Sequence, residues 1–149
     1  METSGKKIRF FRKRNGLTLK RLGELLGFSS ETAEVRIYQY ESGLRTPRPT
    51  VLEKISGILD VSTGALTVPS MENANSIMHI LFALEDEVGL EIYNDHGTIA
   101  LRFKEPKKKL EQELSRLLLD WSAMYFMTEQ GRLERCDYDA WRYQLGHRG

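Results

Sequence analysis

Gly16-Leu-Thr-Leu-Lys-Arg-Leu-Gly-Glu-Leu-Leu-Gly27, then Phe28-Ser-Ser-Glu-Thr-Ala-Glu-Val-Arg-Ile-Tyr-Gln-Tyr-Glu-Ser-Gly43, then Leu44-Arg-Thr-Pro-Arg-Pro49 run consecutively through this 149-residue chain. Thr18 suits a helix N-cap, and Leu22, Leu25 and Leu26 follow at helical spacing for burial before Gly27 stops the helix. A second helix starts between Ser29 and Ala33 and ends at Glu41 or Ser42 before Gly43. A basic turn marked by Pro47 closes the stretch.

Working outward, Ile8 and Phe11 predict a helix over Ser4–Arg14, ended by Asn15-Gly16. After Pro47 and Pro49, Leu52, Ile55, Ile58 and Leu59 predict a helix over Thr50–Leu59, and Ser62 can cap a short one ending near Leu66. Two short helices joined by a glycine turn inside such a helical unit have the pattern of a helix-turn-helix. In that motif one helix crosses the DNA backbone and the next enters the major groove.

Charge supports that direction. Residues 1–68 carry twelve Lys/Arg against seven Asp/Glu, about +5, whereas residues 69–149 carry ten against fourteen, about −4. The basic half suits a polyanion and the acidic half repels one. The single cysteine, Cys136, excludes an internal disulfide and fits a reducing cytoplasm. No signal peptide opens the chain, and no apolar run of about 18 residues suggests a membrane span.

The C-terminal half changes period. Pro69–Ser76 is polar and reads as a linker or the start of the next helix; Ile77, Ile80, Leu81, Leu84 and Val88 then recur at helical spacing up to Gly89. Leu90 and Ile92, and after them Ile99, Leu101 and Phe103, alternate with other residues around an Asn94-Asp-His-Gly97 turn, which predicts a β-hairpin with one apolar face. Pro106 opens a long helix to about Thr128, with a stripe of Leu110, Leu114, Leu117, Leu118, Trp121 and Tyr125. Asp137 can cap a short last helix that carries Trp141 and Leu145. The expected fold is mainly α. A four- or five-helix unit of the repressor type spans 1–68, a linker 69–76, and a smaller α+β domain of helix, hairpin, long helix and short helix 77–149. Leu119, Met124, Phe126 and Met127 add apolar surface outside the stripe, so a dimer interface that includes Leu119, Phe126 and Met127 is expected. An ordinary buried core helix is the alternative.

Residues 6–66 resemble the phage-repressor-like helix-turn-helix family, also called Cro or XRE. The resemblance rests on Ile8-x-x-Phe11-Arg12, Gly16-Leu-Thr-x-x-x-Leu22, Leu26-Gly27, Ile37-x-x-Tyr40-Glu41-x-Gly43, Pro47 and Leu52-x-x-Ile55-x-x-x-Leu59-x-Val61-Ser. It implies a sequence-specific DNA-binding transcriptional regulator. Three features depart from the family pattern. Gly27 and Glu41 stand fourteen residues apart, about four more than usual; Leu19 replaces a glutamine that contacts phosphate; and Phe10 replaces a polar residue, which suggests that something covers it. The C-terminal half also looks like the tail of some repressors of this family from Gram-positive bacteria.

The resemblance assigns roles residue by residue. Glu34, Val35, Arg36, Tyr38 and Gln39 would face the bases. Gln39 could pair with adenine, Arg36 with guanine or a phosphate, and Val35 with a thymine methyl, while Glu34 costs energy unless it accepts from cytosine. Thr18, Lys20, Ser42, Arg45 and Arg48 would grip phosphates; a solvated surface is the bland alternative for each. Lys6, Lys7, Arg9, Arg12, Lys13 and Arg14 form a basic cluster on the first helix. Arg12 and Glu41 hold the positions of a partly buried structural ion pair.

Catalytic patterns are missing. His79, His96 and His147 are isolated, and no cysteine pair, His-Glu-x-x-His or glycine-rich phosphate loop occurs. Glu85-Asp86-Glu87 reads as a solvated helix end. The expectation is a cytoplasmic bacterial regulator and not an enzyme, with no metal or cofactor. It would repress by binding double-stranded DNA as a homodimer at an inverted repeat. An antitoxin-like or ligand-sensing protein, whose C-terminal domain holds a protein partner or a small molecule, is the alternative.

Overall fold

The computed structural model describes residues 4–67, 71 and 73–147. Among them the elements are α1 (Ser4–Arg14), α2 (Leu19–Leu25), α3 (Ala33–Glu41), α4 (Pro49–Leu59), α5 (Thr63–Leu66), α6 (Ala74–Val88), β1 (Leu90–Asp95), β2 (Thr98–Phe103), α7 (Lys109–Glu129) and α8 (Arg135–Gln144). The protein is mainly α with one small antiparallel hairpin. It divides into two compact units, residues 1–70 with 139–149, and residues 71–138.

In the first unit, local chemistry sets the helix ends. The Thr18 hydroxyl accepts the Arg21 N–H at 3.0 Å, and the Ser62 hydroxyl accepts the Ala65 N–H at 3.1 Å. The apolar faces meet in one core of Ile8, Phe11, Leu22, Ile37, Tyr40, Ile55, Leu59, Val61 and Leu66. Burial of each large aliphatic side chain there contributes about 1.5–3 kcal/mol. Leu25 is an exception to the expected pattern: it is 44% exposed. α2 has only seven residues, and its contact with the core runs through Leu22 and Leu26, which leaves Leu25 on the outer flank. Gly23 lets α2 and α3 approach closely, since a Cβ there would lie 2.5 Å from the Ala33 carbonyl oxygen.

The end of α8 belongs with this unit, whereas the sequence grouped all of 77–149 together. The Tyr143 ring meets the buried Phe11 ring edge-on at 4.9 Å, and the Tyr143 carbonyl accepts the Ser62 N–H at 2.8 Å. Phe10, expected to be covered, is 51% exposed, although its ring edge lies 6.4 Å from Tyr143.

In the second unit, α6 begins at Ala74, where the Asn73 side chain accepts the Ser76 N–H at 2.9 Å. Of the segment read as linker or helix start, 69–76, residues 73–76 thus form the cap and first turn of α6; residues 69, 70 and 72 lie outside the described residues. The hairpin pairs Leu90 with Phe103, Ile92 with Leu101 and Asn94 with Ile99, so these six share one face. His96 and Gly97 form its two-residue turn with positive φ at both, and the Asn94 side chain accepts the Gly97 N–H at 3.0 Å. On the other face Arg102 donates to Glu91 at 3.0 Å, which with Lys104 holds the Glu91 carboxyl below its ordinary range.

α7 starts at Lys109 rather than at Pro106. The Glu111 carboxylate accepts the N–H groups of Lys108 and Lys107, at 3.0 and 2.8 Å, and those bonds lower its pKa. α8 starts at Arg135, with Asp137 in its first turn instead of at its cap. Few side chains here are enclosed. Val88, Leu90 and Tyr138 are the buried hydrophobics of the second unit among the described residues, and α7 buries none of its own.

Candidate nucleic-acid interface

α3 is the element whose outer face is presented for recognition. Ala33, Ile37 and Tyr40, at i, i+4 and i+7, are buried against the core. Helical geometry then turns Val35 and Tyr38 to the opposite side, where they are 55% and 56% exposed. Glu34 is exposed as well, while Arg36 and Gln39 are half-buried on the flank. The Arg36 guanidinium lies 5.9 Å from the centre of the Phe28 ring, on the α2 side of α3.

The longer spacing between Gly27 and Glu41 is absorbed before α3, which starts only at Ala33. The Ser29 carbonyl accepts the N–H groups of Thr32 and Ala33 at 3.0 and 2.9 Å, and the Ser30 hydroxyl donates to Glu24 at 2.8 Å. The turn is therefore ordered by its own serine and threonine residues, and α3 keeps nine residues.

Around α3 lie the residues expected to grip the backbone. Lys20, Ser42, Arg45 and Arg48 are exposed, as is Thr18, whose hydroxyl also serves as the cap of α2. The Arg45 N–H donates to the Gln39 carbonyl at 3.0 Å, which folds the loop after α3 back onto its last turn. The buried Pro47 then anchors that loop before α4. Leu44, in the same loop, is 71% exposed.

Arg12 and Glu41 tie α1 to the end of α3. Arg12 Nε donates to Glu41 Oε1 at 2.5 Å and Nη2 donates to Oε2 at 3.0 Å, a two-pronged pair. Nη1 donates to the Leu17 carbonyl at 2.6 Å, so the guanidinium also holds the entry to α2. Side-chain exposure is 9% for Arg12 and 7% for Glu41. Arg12 is thus internal and does not belong to the solvent-facing part of the α1 cluster; Arg9, Lys13 and Arg14 are exposed.

The residues expected at a dimer interface are all accessible in the single chain: Leu119 is 71% exposed, Phe126 62% and Met127 40%. Leu119 and Phe126 stand seven residues apart on α7 and share one side of it. The cleft between α6 and the hairpin, lined by Met78, Leu81, Phe82, Leu90, Ile92 and Leu101, measures about 80 Å³. That is well below the roughly 300–1,000 Å³ of ordinary small-molecule pockets. Among the described residues, no group of three or more His, Cys, Asp or Glu side chains could hold a metal ion, and no helix is long and apolar enough to cross a membrane.

Sequence reasoning passed over Tyr143 and Gln144, and gave Asn15 no role beyond the end of the first helix. Asn15 donates to the Phe11 carbonyl at 2.9 Å and to the Leu59 carbonyl at 3.3 Å, and so joins α1 to the end of α4. Tyr143 and Gln144 lie on the last turn of α8, far in sequence from Phe11, Asp60 and Ser62, and no local pattern pairs them.

Residues 8–66 match the family model described as helix-turn-helix. No curated protein matches the chain. Among solved structures, it is similar to the crystal structure of transcriptional regulator BswR, at 20% identity and a TM-score of 0.45, over 78% of this chain and 92% of that one. The match places a Cro/C1-type (XRE) helix-turn-helix over residues 8–66, under half of the chain.

Proposed function

We propose that the protein is a cytoplasmic bacterial transcriptional repressor that binds an inverted-repeat operator as a homodimer. The observation that carries this reading is the outward face of α3. Val35 and Tyr38 are exposed on the side of α3 opposite its buried residues, and Lys20, Arg45 and Arg48 on the neighbouring segments are exposed as well. A major groove accepts such side chains, which can lie against a thymine methyl there.

In this reading Glu34, Val35, Arg36, Tyr38 and Gln39 read base edges, and Thr18, Lys20, Ser42, Arg45 and Arg48 hold phosphates. Gln39 pairs with adenine, and Val35 or Tyr38 meets a thymine methyl. Dimerisation falls to the second unit, through Leu119, Phe126 and Met127. A domain of about 60 residues normally buries about 60% of the surface its unfolded chain exposes. Residues 71–138 enclose three hydrophobic side chains among those described, and a second copy would cover others. Two copies would set their α3 helices about one DNA turn apart, roughly 34–36 Å.

Fluorescence anisotropy of a labelled duplex, titrated with the protein at rising salt, tests the DNA-binding part. Log affinity should fall linearly with log salt, by about 0.9 per phosphate neutralised. Binding that ignores salt, or no binding to duplex DNA at all, would contradict the proposal.

A further inference from the structure

The DNA-binding unit does not end where the helix-turn-helix match ends. Several contacts bring residues 139–147 back to it. The Tyr143 carbonyl accepts the Ser62 N–H at 2.8 Å, at the cap of α5. The Gln144 side-chain amide donates to the Asp60 carboxylate at 2.6 Å, at the residue with φ 52° that terminates α4. The Tyr143 ring packs edge-on to Phe11, with the Arg14 guanidinium 4.9 Å from its centre and the Arg14–Asp139 ion pair at 4.0 Å beside it.

We infer that residues 139–147 are a detachable strap that completes the DNA-binding unit and sets how much of it is competent to bind DNA. The strap grips the two ends of the bundle that α1 and the α4–α5 corner provide. Phe11 is a core residue, and its neighbour Arg12 holds Glu41 at the end of α3. Loss of the strap therefore reaches the recognition helix through α1. None of residues 139–147 is fully buried, and the pieces these contacts join are more than 80 residues apart in sequence. Such an element opens more readily than the core beneath it. A partner, a modification or a truncation that frees residues 139–147 would lower DNA binding without touching the recognition surface. The inference rests on the DNA-binding reading, and its test separates the two.

The test uses the full chain and compares the unaltered protein with Tyr143→Ala/Gln144→Ala and with Tyr143→Phe. Amide hydrogen exchange, sedimentation and titration of a labelled duplex are read on each. The double variant should exchange faster at Ser62, in α1 and in α5, with its sedimentation unchanged. Its affinity should fall about tenfold if only about a tenth of it remains competent, with the same sequence preference. Tyr143→Phe keeps the ring and the carbonyl and should behave as the unaltered protein does. Faster exchange without weaker DNA binding overturns the strap as a control of competence, as does unchanged exchange. If none of the three binds DNA, the DNA-binding reading fails, and the exchange result still decides whether the strap holds. If the double variant does not fold, Gln144→Ala alone replaces it and should show the faster Ser62 exchange; normal exchange there would refute the strap.

Discussion

Glu41→Ala is the sharpest perturbation of the DNA-binding unit. It deletes both oxygens that Arg12 engages, at 2.5 and 3.0 Å, and leaves the guanidinium with its single bond to the Leu17 carbonyl. Both side chains are less than a tenth exposed, so water cannot readily replace what is lost. Breaking one side of a buried pair costs about 3–5 kcal/mol. The surviving Leu17 bond places this case near the lower end, about 3 kcal/mol. For a unit of this size that lowers the melting temperature by about 12–24 °C, at about 4–8 °C per kcal/mol.

Thermal unfolding followed by tryptophan fluorescence reads this directly in a Trp121→Phe background, which leaves Trp141, in the first unit, as the reporter. The control is Arg12→Leu/Glu41→Leu, which removes both charges. It should be less destabilised than Glu41→Ala, because no charge is stranded. A shift below about 4 °C for Glu41→Ala, under 1 kcal/mol on the same scale, would mean that Arg12 is not left stranded. So would a double variant that is as unstable as the sum of its singles.

Three further outcomes are expected. Gln39→Ala should lose about 1–3 kcal/mol on the preferred duplex and little on random DNA, whereas Arg45→Ala should weaken both equally and flatten the salt slope by about one; equal losses for Gln39→Ala would make it a backbone contact. Gly23→Ala forces a methyl group against the Ala33 carbonyl, so α2 and α3 must separate at a cost of about 1–3 kcal/mol, read by chemical denaturation; wild-type stability would contradict the close packing. Phe126→Glu/Met127→Glu should sediment as a monomer with the circular dichroism of the first unit retained, and an unchanged dimer would move the interface elsewhere.

The first unit was legible because its signals are local. Thr18 and Ser62 cap the helices expected of them, and Ile8, Phe11 and Ile55 lie in the core that their spacing predicts. Leu25 misled because i, i+3 spacing in a seven-residue helix leaves two sides equally plausible, and only the neighbouring helices decide between them. Tyr143 was missed for a different reason. Its contacts with Phe11 and Ser62 are set by the path of the chain, which no short pattern encodes. In the second unit the hairpin and the amphipathic helices were readable from their periods, but what covers Ile92, Leu119 and Phe126 is not written in a single copy. At the interface the order of residues identified α3, yet its start at Ala33 and the flank positions of Arg36 and Gln39 depended on the ordered turn before it.

Selection of bound sequences from random duplex DNA, run with the unaltered protein and with Gln39→Ala, tests the central claim most directly. Recognition through α3 predicts an enriched inverted repeat with half-site centres about one helical turn apart, and relaxed preference at one base pair of each half-site for the variant. No enriched sequence, or one that Gln39→Ala and Val35→Ala both leave unchanged, would contradict recognition through α3.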